Sequence, residues 1–289
     1  MAAPPRDPGS PQAYAAAQLD ALDTTLAHVR SETTNSLDTI MATVSQSVCY
    51  LMPDVSDPLL PISALTRRED VRAYYDQERG FLEVVDSADL VEISTGWYVF
   101  HEGFATTTEV RTGGRFVHEY VVLFPTAPDG IIGEILWPRQ SLADLYAGTP
   151  SAEPAGSGGD RRRANRLGHD RYLEALRAGD AAAALSQWDG EARVAVRQCT
   201  AARRVVNGAG ADVVRTRIDD LLGAVSEPEI RILTRVVGEW YVFADWILRG
   251  RSGDGGQVEL RMASIHPMGD GGVIGGELGY GLDVSAVTP

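Results

Sequence analysis

Lysine is absent from this 289-residue chain: all 26 of its basic residues are arginine. That absence excludes Schiff-base chemistry, and with it pyridoxal enzymes and imine-forming aldolases. It also excludes a phosphate-binding loop of the G-x-x-x-x-G-K type. Cysteine is nearly absent. Cys49 and Cys199 are too few for a disulfide framework or a thiolate metal site, and Cys49, set among Val48, Tyr50 and Leu51, reads as a buried reduced thiol. The five histidines are scattered, with no H-E-x-x-H or comparable ligand spacing, so neither a metal nor another cofactor is expected. No apolar run approaches the length that spans a bilayer, and Met1 to Ser10 is Pro-rich and polar, with no charged-then-apolar leader. The expectation is a cytoplasmic protein with no membrane partner.

Acid is what the chain has in excess. Its net charge is −14, unevenly spread. Residues 1–146 hold 21 acids against 9 arginines, a balance of −12, and the remainder hold 19 against 17, a balance of −2. Phosphate backbones would repel such a chain, so nucleic acid is not an expected partner.

The strongest signal is internal. Trp97-Tyr98-Val99-Phe100 recurs as Trp240-Tyr241-Val242-Phe243, an offset of 240 − 97 = 143. The same offset, without a gap, pairs Val71-Arg72 with Val214-Arg215, Gly113 with Gly256, Gly133-Glu134 with Gly276-Glu277, and Trp137 with Tyr280. A register held from Val71 to Trp137 points to duplication. Residues 147–167 have linker composition, with Arg161-Arg162-Arg163 read as solvated. The domains are therefore expected at 13–146 and 168–289, after a disordered tail over 1–12.

Both copies show one order of elements. Leu19, Leu22, Leu26 and Val29 recur at helical spacing, and a second helix resumes at Leu37 with Ser36 as its N-cap. The second copy offers a shorter helix around Tyr172, Leu173 and Leu176, then one capped by Asp180. Strand-like runs follow at Val48–Met52 and Ala192–Cys199, and third helices at Arg67–Glu78 and Asp212–Leu222. Each copy closes on three strands, expected at 90–105, 115–124 and 130–137, and again at 233–249, 257–266 and 273–280. Glycine-bearing turns join them. Helices first and an antiparallel meander afterwards indicate an α+β class. Gly208-Ala209-Gly210 is a lone G-x-G and reads as a loop.

This order, with Tyr172 to Asp180, Trp188, Asn207-Gly208, Gly238-Glu239-Trp240 and Asp270-Gly271-Gly272-Val273-Ile274 in copy two, resembles the nuclear transport factor 2-like superfamily, and most of all its SnoaL-like, polyketide cyclase-like branch. Copy one matches from Leu37 onward. The resemblance implies two tandem cone-shaped α+β barrel domains, each with N-terminal helices packed against a curved, mainly antiparallel sheet around an apolar pocket. Relatives include ketosteroid isomerases, scytalone dehydratases, limonene epoxide hydrolases, polyketide cyclases and non-catalytic proteins. Most pair through the sheet face. A tandem chain could then form an intrachain pseudo-dimer, with a homo-oligomer as a further possibility.

Enzymes of this group place an acid–base pair in an apolar pocket, where burial tunes a carboxyl or positions a neutral histidine. Copy one offers His101, Glu102, His118 and Glu119 as catalytic candidates, with Tyr50 and Tyr120 for substrate binding. Alternation sets His101 with Trp97 and Val99, and Glu102 with Tyr98 and Phe100. His118 shares a face with Phe116, Tyr120 and Val122, and Glu119 shares the other. Which face lines the pocket is left open. Copy two offers Asp245 and Arg261, a carboxylate–arginine pair of epoxide-hydrolase character, with Trp188 and His266 for substrate; in the gapless alignment Arg261 replaces His118. Glu134 and Glu277, retained in both copies, point to a structural ion pair. The favoured reading is a cofactor-independent cyclase, isomerase, dehydratase or epoxide hydrolase acting on a small, largely apolar substrate, with copy one the active half. The alternative is a non-catalytic ligand-binding or assembly module.

Overall fold

The computed structural model describes residues 10–34, 36–53, 62–149, 157–198, 205–253 and 255–283. The chain divides into two compact units, Met1–Glu153 and Pro154–Pro289. Both are α+β. No helix among the described residues is long and apolar enough to cross a membrane.

Unit 1 opens with α1 (Pro11–Thr33), whose N-cap Ser10 accepts a hydrogen bond from the Ala13 N–H. Pro11 holds the first helical position, where a missing N–H costs little. Of the tail expected over 1–12, residues 1–9 lie outside the described residues and Pro11–Gln12 are helical. α2 (Leu37–Thr43) starts at Ser36, the cap that the spacing predicts. Then come β1 (Tyr50–Met52), β2 (Ser63–Leu65), α3 (Arg68–Glu78), β3 (Leu82–Ser94), β4 (Tyr98–Glu109), β5 (Arg115–Ala127), β6 (Gly130–Ile131), β7 (Ile135–Pro138) and α4 (Leu142–Tyr146). The main sheet runs β3-β4-β5-β6, with β7 also on β5, and β1 pairs with β2 apart from it. One strand expected over 90–105 is thus the end of β3, a tight turn at 95–97 and most of β4. Ile40, Met41, Val71, Tyr75, Val122 and Phe124 pack between helices and sheet.

The apolar stripe read on α1 borders its buried face and does not coincide with it. Leu19 is 62% exposed, whereas Ala21, Thr25, His28 and Ser31 are buried. Leu22, Leu26 and Val29 of the stripe are half-buried and Val29 packs against the core, but the most buried positions of this helix are mainly polar.

Unit 2 repeats the plan with α5 (Gly158–Arg177), α6 (Ala181–Leu185), β8 (Trp188–Gln198), β9 (Val205–Ala209), α7 (Ala211–Ala224), β10 (Ser226–Val237), β11 (Tyr241–Arg251), β12 (Gln257–Pro267) and β13 (Ile274–Asp283). Its sheet order is β10-β11-β12-β13-β8-β9, with β13 parallel to β8 and every other pair antiparallel. Asp180 caps α6 through the Ala183 N–H, as expected. The linker expected over 147–167 is helical from Gly158 on, and α5 is long, not short. Arg161 and Arg162 are not merely solvated, since both pair with Glu239. The G-x-G run is not a plain loop either: Gly208 and Ala209 end β9, and Gly210 (φ 91°) is the N-cap of α7. Cys199 lies outside the described residues.

The duplication is not gapless: unit 2 loses one residue in a hairpin and regains it before its last strand, where the partners Ile135 and Leu278 are again offset by 278 − 135 = 143. Tyr98 faces Pro125 across the β4–β5 hairpin, and Tyr241 faces Pro267 across β11–β12. The first pair of partners is offset by 241 − 98 = 143 and the second by 267 − 125 = 142. The hairpin of unit 2 is therefore one residue shorter. Since side chains alternate along a strand, that residue reverses which β12 positions face inward relative to the gapless alignment. His118 corresponds to Leu260, Glu119 to Arg261, Tyr120 to Met262 and Phe124 to His266.

Candidate functional site

The inner face of the unit 1 sheet is the one that carries His101. Along β4, His101, Gly103, Ala105 and Thr107 are buried while Glu102, Phe104 and Thr106 are half-exposed. Along β5, Phe116, His118 and Tyr120 are buried, Val117 is exposed and Glu119 half-exposed. His101, His118 and Tyr120 therefore turn inward together. Glu102 and Glu119 turn to the opposite face, and Glu119 is paired there with Arg139 at 2.6 Å. Strand alternation separates them from the cavity, which removes both from the catalytic set.

Two adjoining cavities, of about 90 and about 60 Å³, share Glu32, Val84, His118, Glu134 and Leu136 in their walls. His101 and Tyr120 line the smaller one, and Tyr74, Tyr75, Glu78 and Tyr146 the larger. Tyr50 lines neither. It is buried in the core with its ring edge-on to Tyr75.

His101 is 1% exposed and its Nδ1 lies 3.1 Å from Asp89 Oδ1 on β3. Asp89 faces Gly103 across the pair, at a β-bulge where Asp89 and Val91 oppose Gly103 and Glu102. A bulge re-aims side chains, and glycine leaves the space through which Asp89 reaches the neighbouring inward position. A Cβ on Gly103 would come within 2.5 Å of the Ala88 carbonyl oxygen. Asp89 beside Nδ1 favours the tautomer that carries a proton there and leaves the lone pair on Nε2. Nε2 is buried and has no hydrogen-bond partner among the described residues.

Beside it, His118 is pushed down to about 4 by burial, so it is neutral at physiological pH. Its Nδ1 lies 3.4 Å from Thr107 Oγ1. Burial also raises the Tyr120 phenol, and the charges of Asp89 and Glu32 raise it further, so it remains a hydrogen-bond donor.

A second polar group closes the far wall. Thr43 donates its hydroxyl proton to the Ile40 carbonyl, so His28 Nδ1 must donate to Thr43 Oγ1, 2.6 Å away. His28 Nε2 meets the Tyr75 hydroxyl at 3.0 Å, and that hydroxyl lies 2.5 Å from Glu134 Oε2. Glu32, one turn along α1, sits 3.5 Å from the same Nε2. Burial lifts Glu32 well above the usual carboxylate range, with repulsion from Glu134 and Glu78 adding to it, and lifts Glu78 to about 8 with help from Glu134. None of His28, Glu32, Tyr75 or Glu78 was singled out from sequence. Glu134 was singled out as structural, yet it lines both cavities. The usable signal was the i, i+4 spacing of His28 and Glu32, which puts both on one helix face.

Unit 2 has filled the equivalent space. Trp246 stands where unit 1 has Gly103, Leu248 where it has Ala105, and Ile232 where it has Asp89, at the same bulge. Met262 and Leu260 take the places of Tyr120 and His118. Trp188 packs in this core with its ring 5.4 Å from Tyr172, and His266 lies against His169, ring centroids 4.9 Å apart. Neither lines the two cavities described in unit 1, and Trp188 Nε1 and both His266 ring nitrogens are buried with no hydrogen-bond partner among the described residues. Asp245 and Arg261 do pair, at 3.1 and 2.7 Å, but on the opposite face of the sheet from Ala244, Trp246 and Met262. They cannot act on anything held inside the cone. Glu277 forms a buried two-point ion pair with Arg217, at 2.8 and 2.7 Å, and accepts from Ser264. Burial pushes its carboxyl up, and Arg217 overrides this to hold it below the usual range. The structural ion pair expected of the retained glutamates is thus present at Glu277, while Tyr74 occupies the Arg217 position in unit 1.

No family model matches this chain, and no curated protein matches it. Solved structures similar to it include SalBIII, an epoxide hydrolase/cyclase-like enzyme described in pyran ring formation in the polyether salinomycin. That likeness is 13% identical over 42% of this chain and 91% of the other, with a TM-score of 0.34. A Mycobacterium tuberculosis protein in complex with estradiol-17beta-hemisuccinate is 12% identical over 40% and 92%, at 0.35. An NTF2-like protein from Burkholderia xenovorans LB400 is 10% identical over 44% and 95%, also at 0.35. Each of these likenesses spans less than half of this chain.

Proposed function

We propose that this chain is a fused pair of cone domains in which the first is a cofactor-independent acid–base enzyme for a small, largely apolar molecule, and the second a filled copy without a reaction chamber. The observation that carries the reading is the Asp89–His101 pair, with His101 in the wall of the smaller cavity and its Nε2 buried without a partner among the described residues. Asp89 fixes the tautomer and orients the ring. Nε2 takes a proton from a carbon acid beside a carbonyl, or from a water beside an epoxide or enol. Tyr120, on the same wall, donates a hydrogen bond to the oxygen on which charge develops. The walls exclude bulk water, which strengthens both interactions. Isomerisation, cyclisation, dehydration and epoxide opening all use these parts.

The test is proton exchange. The full chain, incubated in D2O with a panel of small cyclic ketones, is expected to speed α-proton exchange measured by NMR. His101→Gln should lower that rate by about 10²- to 10⁴-fold, the usual weight of a positioned base, and Asp89→Asn by a smaller factor. Exchange that is equally fast in His101→Gln, or no exchange with any ketone together with no ring opening of any member of a matching epoxide panel, would sink the reading.

A further inference from the structure

His118 stands in a wall that the two cavities of unit 1 share. It is 5% exposed, and its ring sits beside those of Phe116 and Tyr120, with centroids 5.7 and 6.1 Å away. Among the described residues its one hydrogen-bond partner is Thr107, whose Oγ1 lies 3.4 Å from Nδ1. Thr107 is itself buried, and Nδ1 is the one acceptor its hydroxyl has among the described residues. A buried hydroxyl left without an acceptor is costly. Donation from Thr107 to Nδ1 is therefore favoured, which puts the ring proton on Nε2. Burial keeps the ring neutral at physiological pH. His118 thus brings a neutral N–H donor, with no protein acceptor among the described residues, to a wall it shares with Val84 and Leu136. An occupant with an oxygen at that place would answer it.

Unit 2 shows that the fold itself does not require this donor. By strand pairing His118 matches Leu260, and Thr107 matches Gly250 at the offset of 250 − 107 = 143. Leu260 belongs to the apolar core there. Threonine and histidine are thus present together in the unit with the described cavities, and replaced together in the unit whose core holds Trp246 and Met262. The spacing of the pair is informative too. His118 and Tyr120 are two residues apart on β5 and face the same way. Their separation suits two oxygens on opposite sides of a six-membered ring.

We propose that His118 determines specificity: its Nε2–H holds a second oxygen of the substrate, while Tyr120 holds the oxygen of the reacting carbonyl or epoxide. The substrate class is then a small cyclic compound with two oxygens across the ring. This rests on the reading of the cavity as a reaction chamber.

The test compares 4-methoxycyclohexanone with 4-ethylcyclohexanone, in which a methylene replaces the second oxygen. Each is offered to the full chain in D2O, with α-proton exchange followed by NMR and dissociation constants measured by ligand-observed titration. The methoxy compound is expected to be favoured at least about tenfold in kcat/KM and in affinity, the scale of one buried hydrogen bond. His118→Leu should bring that ratio close to one, through the KM of the methoxy compound, while His118→Gln, which keeps an N–H, retains part of it. Thr107→Val, which frees the ring to carry its proton on Nδ1, should lower the ratio as well and keeps the test open should His118→Leu fail to fold. A ratio near one in the parent chain, or one unchanged in His118→Leu, would overturn the proposal. So would a loss in His118→Leu that falls equally on the two ketones, the mark of a merely structural histidine. Affinity that favours the methoxy compound and depends on His118, with no exchange of either ketone, would sink the enzyme reading and leave this donor standing. Failure of both ketones to bind would overturn the two together.

Discussion

Burial drives Glu78 and His118, two neighbours in one cavity wall, in opposite directions. Glu78 rises from an ordinary 4.5 to about 8, so the folded chain keeps a proton that the unfolded chain releases. Its stabilising contribution is full below the ordinary value and is lost as pH rises through about 8. His118 falls from 6.5 to about 4. Its contribution is full above 6.5 and is lost as pH falls through about 4. The melting temperature of unit 1 is therefore expected to decline on both sides of a mildly acidic maximum. Glu78→Gln should flatten the alkaline limb and His118→Asn the acid limb, measured by thermal melts from pH 4 to 9. Neither shift was legible in the sequence, because each depends on what covers the side chain. Alternation correctly grouped His118 with Phe116 and Tyr120 and set Glu119 apart. It could not say which group faced in.

Strand β3 and its bulge form the element on which the site depends. Asp89 and Val91 oppose consecutive β4 residues, and Gly103 fits beneath the Ala88 carbonyl. Gly103→Ala is expected to cost roughly 1–3 kcal/mol, as overpacking does, and to disturb the Asp89–His101 pair. Chemical denaturation measures the first effect, and the imidazole resonances of His101 report the second. The reciprocal change has the opposite character. Trp246→Ala in unit 2 removes a fully buried ring and should cost about 3–5 kcal/mol, leaving a hollow where unit 1 has one. Turns and caps were readable because glycine, serine and aspartate state their backbone geometry directly. The bulge was not, since nothing in Val84 to Ile93 marks an extra residue. α1 was legible only in part for a different reason: its most buried positions include Thr25, His28 and Ser31, which a search for apolar periodicity passes over.

For the whole molecule, repetition was the readable feature and divergence the hidden one. The offset of aromatic and glycine pairs reveals two copies, yet only strand pairing shows that one hairpin lost or gained a residue. Differences inside the cones follow their chemistry. Unit 2 holds its last-strand glutamate with Arg217 and fills its core with Trp246 and Leu248; unit 1 has tyrosine, glycine and alanine at the same positions. Arg217→Met would leave Glu277 buried without its cation and is expected to cost about 3–5 kcal/mol. Hydrogen exchange resolved by mass spectrometry should show protection falling across β8 and β11 to β13, with β4 and β5 unchanged. A loss spread equally over both sheets would show that the two cores do not unfold as separate units.

The shortened hairpin of unit 2 also sets a rule for engineering. Any attempt to open a second chamber by grafting unit 1 residues must change frame between β11 and β12. Gly and Ala belong at 246 and 248, 143 positions on, but the β5 histidine and tyrosine belong at 260 and 262, 142 positions on. A designer who trusted the gapless alignment would install the histidine at 261, on the outer face, and build a hollow with its chemistry on the wrong side of the wall.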